Sequence, residues 1–156
     1  MDGNNRWSKK NDKKLFEAYS SGAKRLLALS KHIFDNYDIY YISAFALSKK
    51  NLKRSTTIIK TLRRVLEYFL NDQKNLSQRN FQITFKGDFS FLEKKTINKI
   101  HLLENDNPIS KKNLIIYINY SGKDDIIRSC NDFYHLNSNK QITDKIFKKN
   151  LYSKNI

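Results

Sequence analysis

The opening residues Asp2-Gly3-Asn4-Asn5-Arg6-Trp7 place a carboxylate, two carboxamides and a guanidinium in one short stretch. On residue type alone, Asp2-Gly3-Asn4-Asn5 reads as a turn that caps a helix. Arg6 adds a planar fork able to donate two hydrogen bonds to one phosphate. Ser48, Asn51 and Arg54 follow an apolar run and read, by themselves, as a solvated polar loop. His32, His101 and His135 lie far apart without ligand spacing, so all three read as structural or surface residues. Cys130 is the sole cysteine, which excludes an intrachain disulfide and a CxxC zinc pair. It reads as a small buried hydrophobe rather than a nucleophile.

Charge points the same way as Arg6. Thirty Lys and Arg against fifteen Asp and Glu give a net charge of +15, which favours an anionic partner. The basic residues are spread through every segment and the chain is rich in Asn and Ile, so composition bias accounts for much of the excess. Phosphate on a small substrate, or anionic lipid headgroups, would satisfy the charge as well as DNA or RNA. No nucleic acid partner is therefore expected. The chain carries no apolar run of the roughly 18 residues needed to span a membrane and no signal-peptide h-region. A cytoplasmic protein, working in solution or at the membrane surface, is the expectation.

These residues need elements to hold them. Ile39–Leu47, Phe81–Lys86 and Leu114–Asn119 are short runs rich in β-branched and aromatic residues, and two are apolar almost throughout, as in parallel strands covered on both faces. Helical periodicity runs over Leu15–Phe34, Ile58–Leu70, Leu92–Leu103, Asp125–Leu136 and Ile142–Leu151. Strands alternating with helices predict one α/β domain over residues 1–156 with a mainly parallel sheet flanked by helices. The chain has only four glycines, Gly3, Gly22, Gly87 and Gly122, and each is expected where a side chain would not fit.

Four stretches together resemble the cis-prenyltransferases, the family of undecaprenyl diphosphate synthase. Met1-Asp2-Gly3-Asn4-Asn5-Arg6-Trp7 is similar to that family's MDGNxRW signature. Ala46-Leu47-Ser48 with Asn51 and Arg54 resembles its FSxENWxR segment, Gly87-Asp88 its IGD step, and Asn119-Tyr120-Ser121-Gly122-Lys123-Asp124-Asp125-Ile126 its NYGGRxDI motif. The order and approximate spacing also match, across essentially the whole chain.

The resemblance implies a fold and a reaction. The fold is the family's α/β sheet, with a first strand expected ahead of Met1 and an RTSGE segment expected after Ile156. The reaction is sequential cis-condensation of isopentenyl diphosphate onto an allylic diphosphate, with Mg²⁺ as cofactor. Carried over by motif, Asp2 is a catalytic residue that handles Mg²⁺ and Asn51 a second catalytic position. Gly3, Asn4, Arg6, Trp7, Ser48 and Arg54 match substrate-binding positions. The apolar stripes on Leu15–Phe34 and Ile58–Leu70 match helices lining a hydrocarbon tunnel. The family assembles as a homodimer and associates peripherally with membranes.

Departures set limits on this inference. The family's arginine and histidine before the step ending at Gly22 fall on Leu15 and Tyr19, its glutamate on Lys50, its tryptophan on Leu52 and a motif arginine on Lys123. A Lys point charge does not reproduce an Arg fork. Weak turnover by the 156-residue chain is the expectation, and these substitutions would also suit a non-catalytic relative that supports a partner subunit.

Overall fold

The computed structural model describes residues 3–49, 56–106, 110–136 and 141–152. Helix α1 (Asn4–Lys10) leads into the long α2 (Leu15–Asn36). Strand β1 (Tyr41–Ser48) is followed by α3 (Thr56–Leu70), the short α4 (Gln73–Ser77) and β2 (Gln82–Gly87). Then come α5 (Lys94–Asn105), β3 (Asn113–Tyr120), α6 (Gly122–Leu136) and α7 (Asp144–Asn150). The three strands form one sheet in the order β1-β3-β2, with both pairs parallel, as the alternation of elements predicts. Helices α1 and α4 lie outside the apolar periodicities and were not expected from them.

The central strand explains the apolar runs. β3 is buried from Leu114 through Asn119, on both of its faces. Leu114, Ile116 and Ile118 point to the side covered by α2, α3 and α5, where they join Phe34, Phe69, Phe81, Ile83, Phe85 and Ile100 in one core. Ile115 and Tyr117, on the opposite face, are buried as well. Phe34 and Phe81, each 1% exposed, have ring centroids 5.0 Å apart; burying each ring contributes about 1.5–3 kcal/mol.

β1 corrects the expectation that its apolar run is covered on both faces. Its burial alternates, leaving Tyr41 and Phe45 half exposed, because β1 is an edge strand whose outer face no described helix covers fully. The opposite edge is treated differently. There the Glu104 side chain, from α5, accepts a hydrogen bond from the Phe85 N–H at 2.8 Å, which satisfies a donor on the open side of β2. Cys130 is only partly buried, short of the expected full burial.

The glycines divide. Gly87 has φ +126, and a Cβ there would sit 1.9 Å from the Ile118 carbonyl oxygen, so no side chain fits. Gly3 adopts φ +86 just before α1. Gly22 lies inside α2. Gly122 opens α6, and a methyl added there would meet nothing closer than the Tyr120 hydroxyl at 4.0 Å. The expectation that every glycine excludes a side chain therefore fails at Gly122.

Candidate functional site

Two cavities lie at the C-terminal end of the sheet, where parallel α/β sheets bind ligands. The first is apolar, about 80 Å³, and lies between α2, α3 and the sheet. Tyr19, Ala23 and Leu26 face it from α2, and Leu62, Val65, Leu66 and Phe69 from α3. The strands contribute Ala46, Leu47, Phe85, Ile116 and Ile118, and Phe91 closes it from the loop after β2. Ala46 and Leu47 are consecutive yet both line it, which a regular strand forbids because neighbours point to opposite faces. The β1–β3 register shifts between Phe45 and Leu47 and again before Ser48, so an irregularity re-aims these residues. Tyr19, where the resemblance set a diphosphate-binding histidine, instead lines this apolar cavity.

The second cavity is polar, about 430 Å³, and begins where the first stops along each strand. Lys49 follows Leu47, Asp88 follows Phe85 and Gly87, and Asn119 follows Ile118; α6 supplies Asp124, Asp125, Arg128 and His135. Asn119 is 8% exposed with φ +50, a conformation that Asn tolerates better than other non-glycine residues. Its Nδ2 donates to both the Asp88 carbonyl and Asp88 Oδ2 at 3.1 Å. Those two acceptors fix the amide orientation and hold the turn that follows Gly87. Asp88 in turn accepts from the Ser90 N–H at 2.8 Å.

Asp125 anchors the far wall with its side chain 1% exposed. It accepts from Arg128 Nη2 at 2.8 Å, from the Tyr120 hydroxyl at 3.2 Å and from the Tyr152 N–H at 3.1 Å. Arg128 also bonds Asp132 at 2.6 Å and stacks 4.0 Å from the Tyr152 ring centroid, so it ties the end of α7 to α6. Burial, reinforced by the Asp125 charge, pushes the Tyr120 hydroxyl up to about 12. Tyr152 is raised by burial as well, against the pull of Arg128. The hydrogen bond from Lys49, 3.0 Å away, holds Asp124 below the ordinary carboxylate range.

Of the residues singled out in the sequence, Gly3, Asn4, Arg6 and Trp7 sit together at the start of α1. The Arg6 guanidinium passes about 4.0 Å from where a Gly3 methyl would be, and Trp7 is 47% exposed. Ser48 ends β1, paired in register with Tyr120 of the fourth motif, and Lys49 extends from it to Asp124. Asp2, Asn51, Arg54, Lys50 and Leu52 lie outside the described residues. The Asp125–Arg128–Tyr152 network was missed. Its sequence signal is helical spacing, since Asp125, Arg128 and Asp132 recur at three and four residues along α6. Among the described residues no group of three or more His, Cys, Asp or Glu is placed to hold a metal ion. Nor is any described helix long and apolar enough to cross a membrane.

The fold is a parallel α/β sheet with one apolar and one polar cavity toward the C-terminal ends of its strands. The chain belongs to the undecaprenyl diphosphate synthase family of prenyltransferases, whose model matches residues 1–156. It is 31% identical over 132 residues to dehydrodolichyl diphosphate synthase 3 of Arabidopsis thaliana, covering 83% of this chain and 43% of that one. It is 33% identical over 135 residues to an isoprenyl transferase of Helicobacter hepaticus, covering 83% and 55%. The chain thus spans about half the length of these relatives. Its fold is similar to that of lavandulyl diphosphate synthase from Lavandula x intermedia, solved with dimethylallyl diphosphate. That match has a TM-score of 0.82 at 24% identity and covers 100% of this chain and 70% of that one. A probable undecaprenyl diphosphate synthase from Campylobacter jejuni gives a TM-score of 0.66 at 23% identity, covering 82% and 62%.

Proposed function

We propose that this chain forms the allylic-diphosphate half of a cis-prenyltransferase site, in a protein that condenses isopentenyl diphosphate onto an allylic diphosphate. The observation that carries the reading is the apolar cavity between α2, α3 and the strand ends. A prenyl chain needs a dry apolar slot, and burying it there supplies binding free energy of about 0.8 kcal/mol per CH₂. Its diphosphate needs cations and N–H donors outside that slot. Arg6 takes the role of bidentate phosphate donor, with Gly3 allowing the chain to turn beside it and Asn4 and Trp7 completing the first turn. Ser48 and Arg54 are assigned to the same substrate from the β1 end, and Asn51 to the reacting end.

Asp2, by its place in the motif, is the residue that would hold Mg²⁺, a hard cation suited to carboxylate and phosphate oxygens. When bound, the ion would neutralise charge on the departing diphosphate. The rest falls to the chain itself: the cavity walls exclude water from the allylic carbons and fix their position.

Calorimetric titration with an allylic diphosphate in Mg²⁺ tests the reading. Binding should be competed by inorganic diphosphate and weakened roughly 10–100-fold in Arg6→Ala, the scale of a lost hydrogen bond to a charged group. Binding that is absent, or indifferent to Arg6, refutes it. With labelled isopentenyl diphosphate added, little elongation is expected, because Leu15, Tyr19 and Lys50 replace an arginine, a histidine and a glutamate of the family motif; ready elongation would overturn that expectation.

A further inference from the structure

We propose that a cavity at the N-terminal end of β2 binds the phosphate end of a small soluble phosphate ester or diphosphate. The proposal does not rest on the prenyl diphosphate reading, because its residues lie elsewhere. Lys24, Leu27 and Lys31 face the cavity from α2, Asn75 from α4, and Arg79 and Phe81 from the segment leading into β2. Phe81 directly precedes Gln82, the first residue of that strand. At about 3.3 Å per residue, the length of β2 sets this cavity about 20 Å from the polar cavity beside Asp88.

Burial separates a floor from a rim. Phe81 and Leu27 are 1% and 9% exposed and the Arg79 side chain 4%, whereas Lys24, Lys31 and Asn75 are exposed. Lys24 and Lys31 stand about two turns apart on one face of α2, roughly 10 Å along its axis. Two ammonium groups therefore bracket a recess that has a guanidinium in its floor. Arg79 is fixed there, donating to the Leu76 carbonyl at 2.6 Å and to the Asp106 carbonyl and carboxylate at 2.8 and 2.9 Å. Its Nε is buried and has no hydrogen-bond partner among the described residues, which is rare for a buried donor. A ligand oxygen seated in the recess supplies the missing acceptor.

The charge around the recess selects the ligand. No Asp or Glu lines it among the described residues. Asp106 offsets part of the Arg79 charge, and Asp35 pairs with Lys31 at 3.3 Å, but the second pair is exposed on both sides and such pairs are worth little. Three cations around one recess favour a multiply charged anion, and lysine binds phosphate as a point charge. The volume is about 330 Å³, roughly twice that of a cavity that holds one benzene, so inorganic diphosphate fits with room for a small organic group. Arg79 is reached only by entering the recess, which a soluble phosphate compound does and a headgroup held in a bilayer plane does not.

The test titrates inorganic diphosphate, without Mg²⁺, into the intact nitrogen-15-labelled chain and follows the Arg79 Nε–H resonance by NMR. The chain carries Arg6→Ala, which removes the phosphate donor assigned above. The Arg79 resonance should shift and saturate. Lys24→Gln together with Lys31→Gln, both on the exposed rim and checked for folding by circular dichroism, should weaken the affinity roughly tenfold or more, the scale of lost contacts to charged groups. Lys145→Gln together with Lys149→Gln removes the same charge from α7 and should leave the affinity unchanged. No saturating shift at Arg79, or equal weakening in the two double variants, would overturn the site. Cosedimentation with phosphatidylcholine vesicles containing phosphatidic acid separates the two phosphate sources. The two double variants should sediment alike; a selective loss in the Lys24 and Lys31 variant would overturn the soluble ligand in favour of a lipid headgroup.

Discussion

Replacing Gly87 by alanine tests how the two cavities are held in place. Gly87 pairs with Ile118 at the end of the β2–β3 ladder and has φ +126. An added Cβ would lie 1.9 Å from the Ile118 carbonyl oxygen and 3.0 Å from its carbonyl carbon. Both atoms are backbone, so no side chain can rotate away. Relief requires the strand ends to part by more than 1 Å at a spacing normally near 4.8 Å. That move forfeits the last ladder hydrogen bond, about 0.5–1.5 kcal/mol. The positive φ adds about 1–3 kcal/mol of strain for a residue with a Cβ. We expect Gly87→Ala to lose about 3 kcal/mol, a fall in Tm of about 6–12 °C for a domain this size. Gly122→Ala is the control, since a Cβ there meets nothing nearer than 4.0 Å and α6 gains helix propensity; its stability should stay within about 1 kcal/mol of the parent. Urea denaturation followed by far-ultraviolet circular dichroism measures both. A Gly87→Ala loss under about 1 kcal/mol, or equal losses in the two variants, would refute the close-approach reasoning.

Two further outcomes follow from the polar wall. Asp125→Ala leaves the Tyr152 N–H without its acceptor and removes one of the partners of Arg128, which keeps Asp132, and a lost acceptor of this kind costs about 1–3 kcal/mol; limited proteolysis should then cut near α7, and an uncut, equally stable variant would contradict the tethering role. Stability should also fall as pH rises above 10. The Tyr120 hydroxyl is held neutral up to about 12 when folded but ionises near 10.0 when unfolded, so its contribution is complete below pH 10 and lost between pH 10 and 12. Urea midpoints at pH 8 and pH 11 check this. Tyr120→Phe should flatten the decline in part, since burial also raises Tyr117 and Tyr152.

Sequence patterning was most informative where one physical cause dominated. Burial on both faces made β3 legible as a continuous apolar run, and one-sided burial made α2 and α3 legible as stripes. β1 was legible as a strand but not as an edge, because Tyr41 and Phe45 are apolar whether covered or exposed. The stripes gave the helices but not which residues face a cavity, since that depends on the register shift near Ala46, which no local propensity encodes. Gly87 was rightly suspected of excluding a side chain and Gly122 wrongly so. The difference lies in the approach of a strand some thirty residues away. The Asp125 network escaped notice for a similar reason: its helical spacing is local, but Tyr120 and Tyr152 reach it through the fold.

The single hydrogen bond that the Phe85 N–H donates to Glu104 also gives the sheet a polarity of growth. A free peptide strand approaching β2 would have to displace a carboxylate already seated on that amide and would meet α5 behind it. At β1 it would meet Tyr41 and Phe45 with half their surface open and no such guard among the described residues. Strand recruitment, whether by a fused segment, a designed β-peptide or an unwanted aggregate, is therefore channelled to one side of this sheet, and a lysine or proline placed on β1 is the economical way to close it.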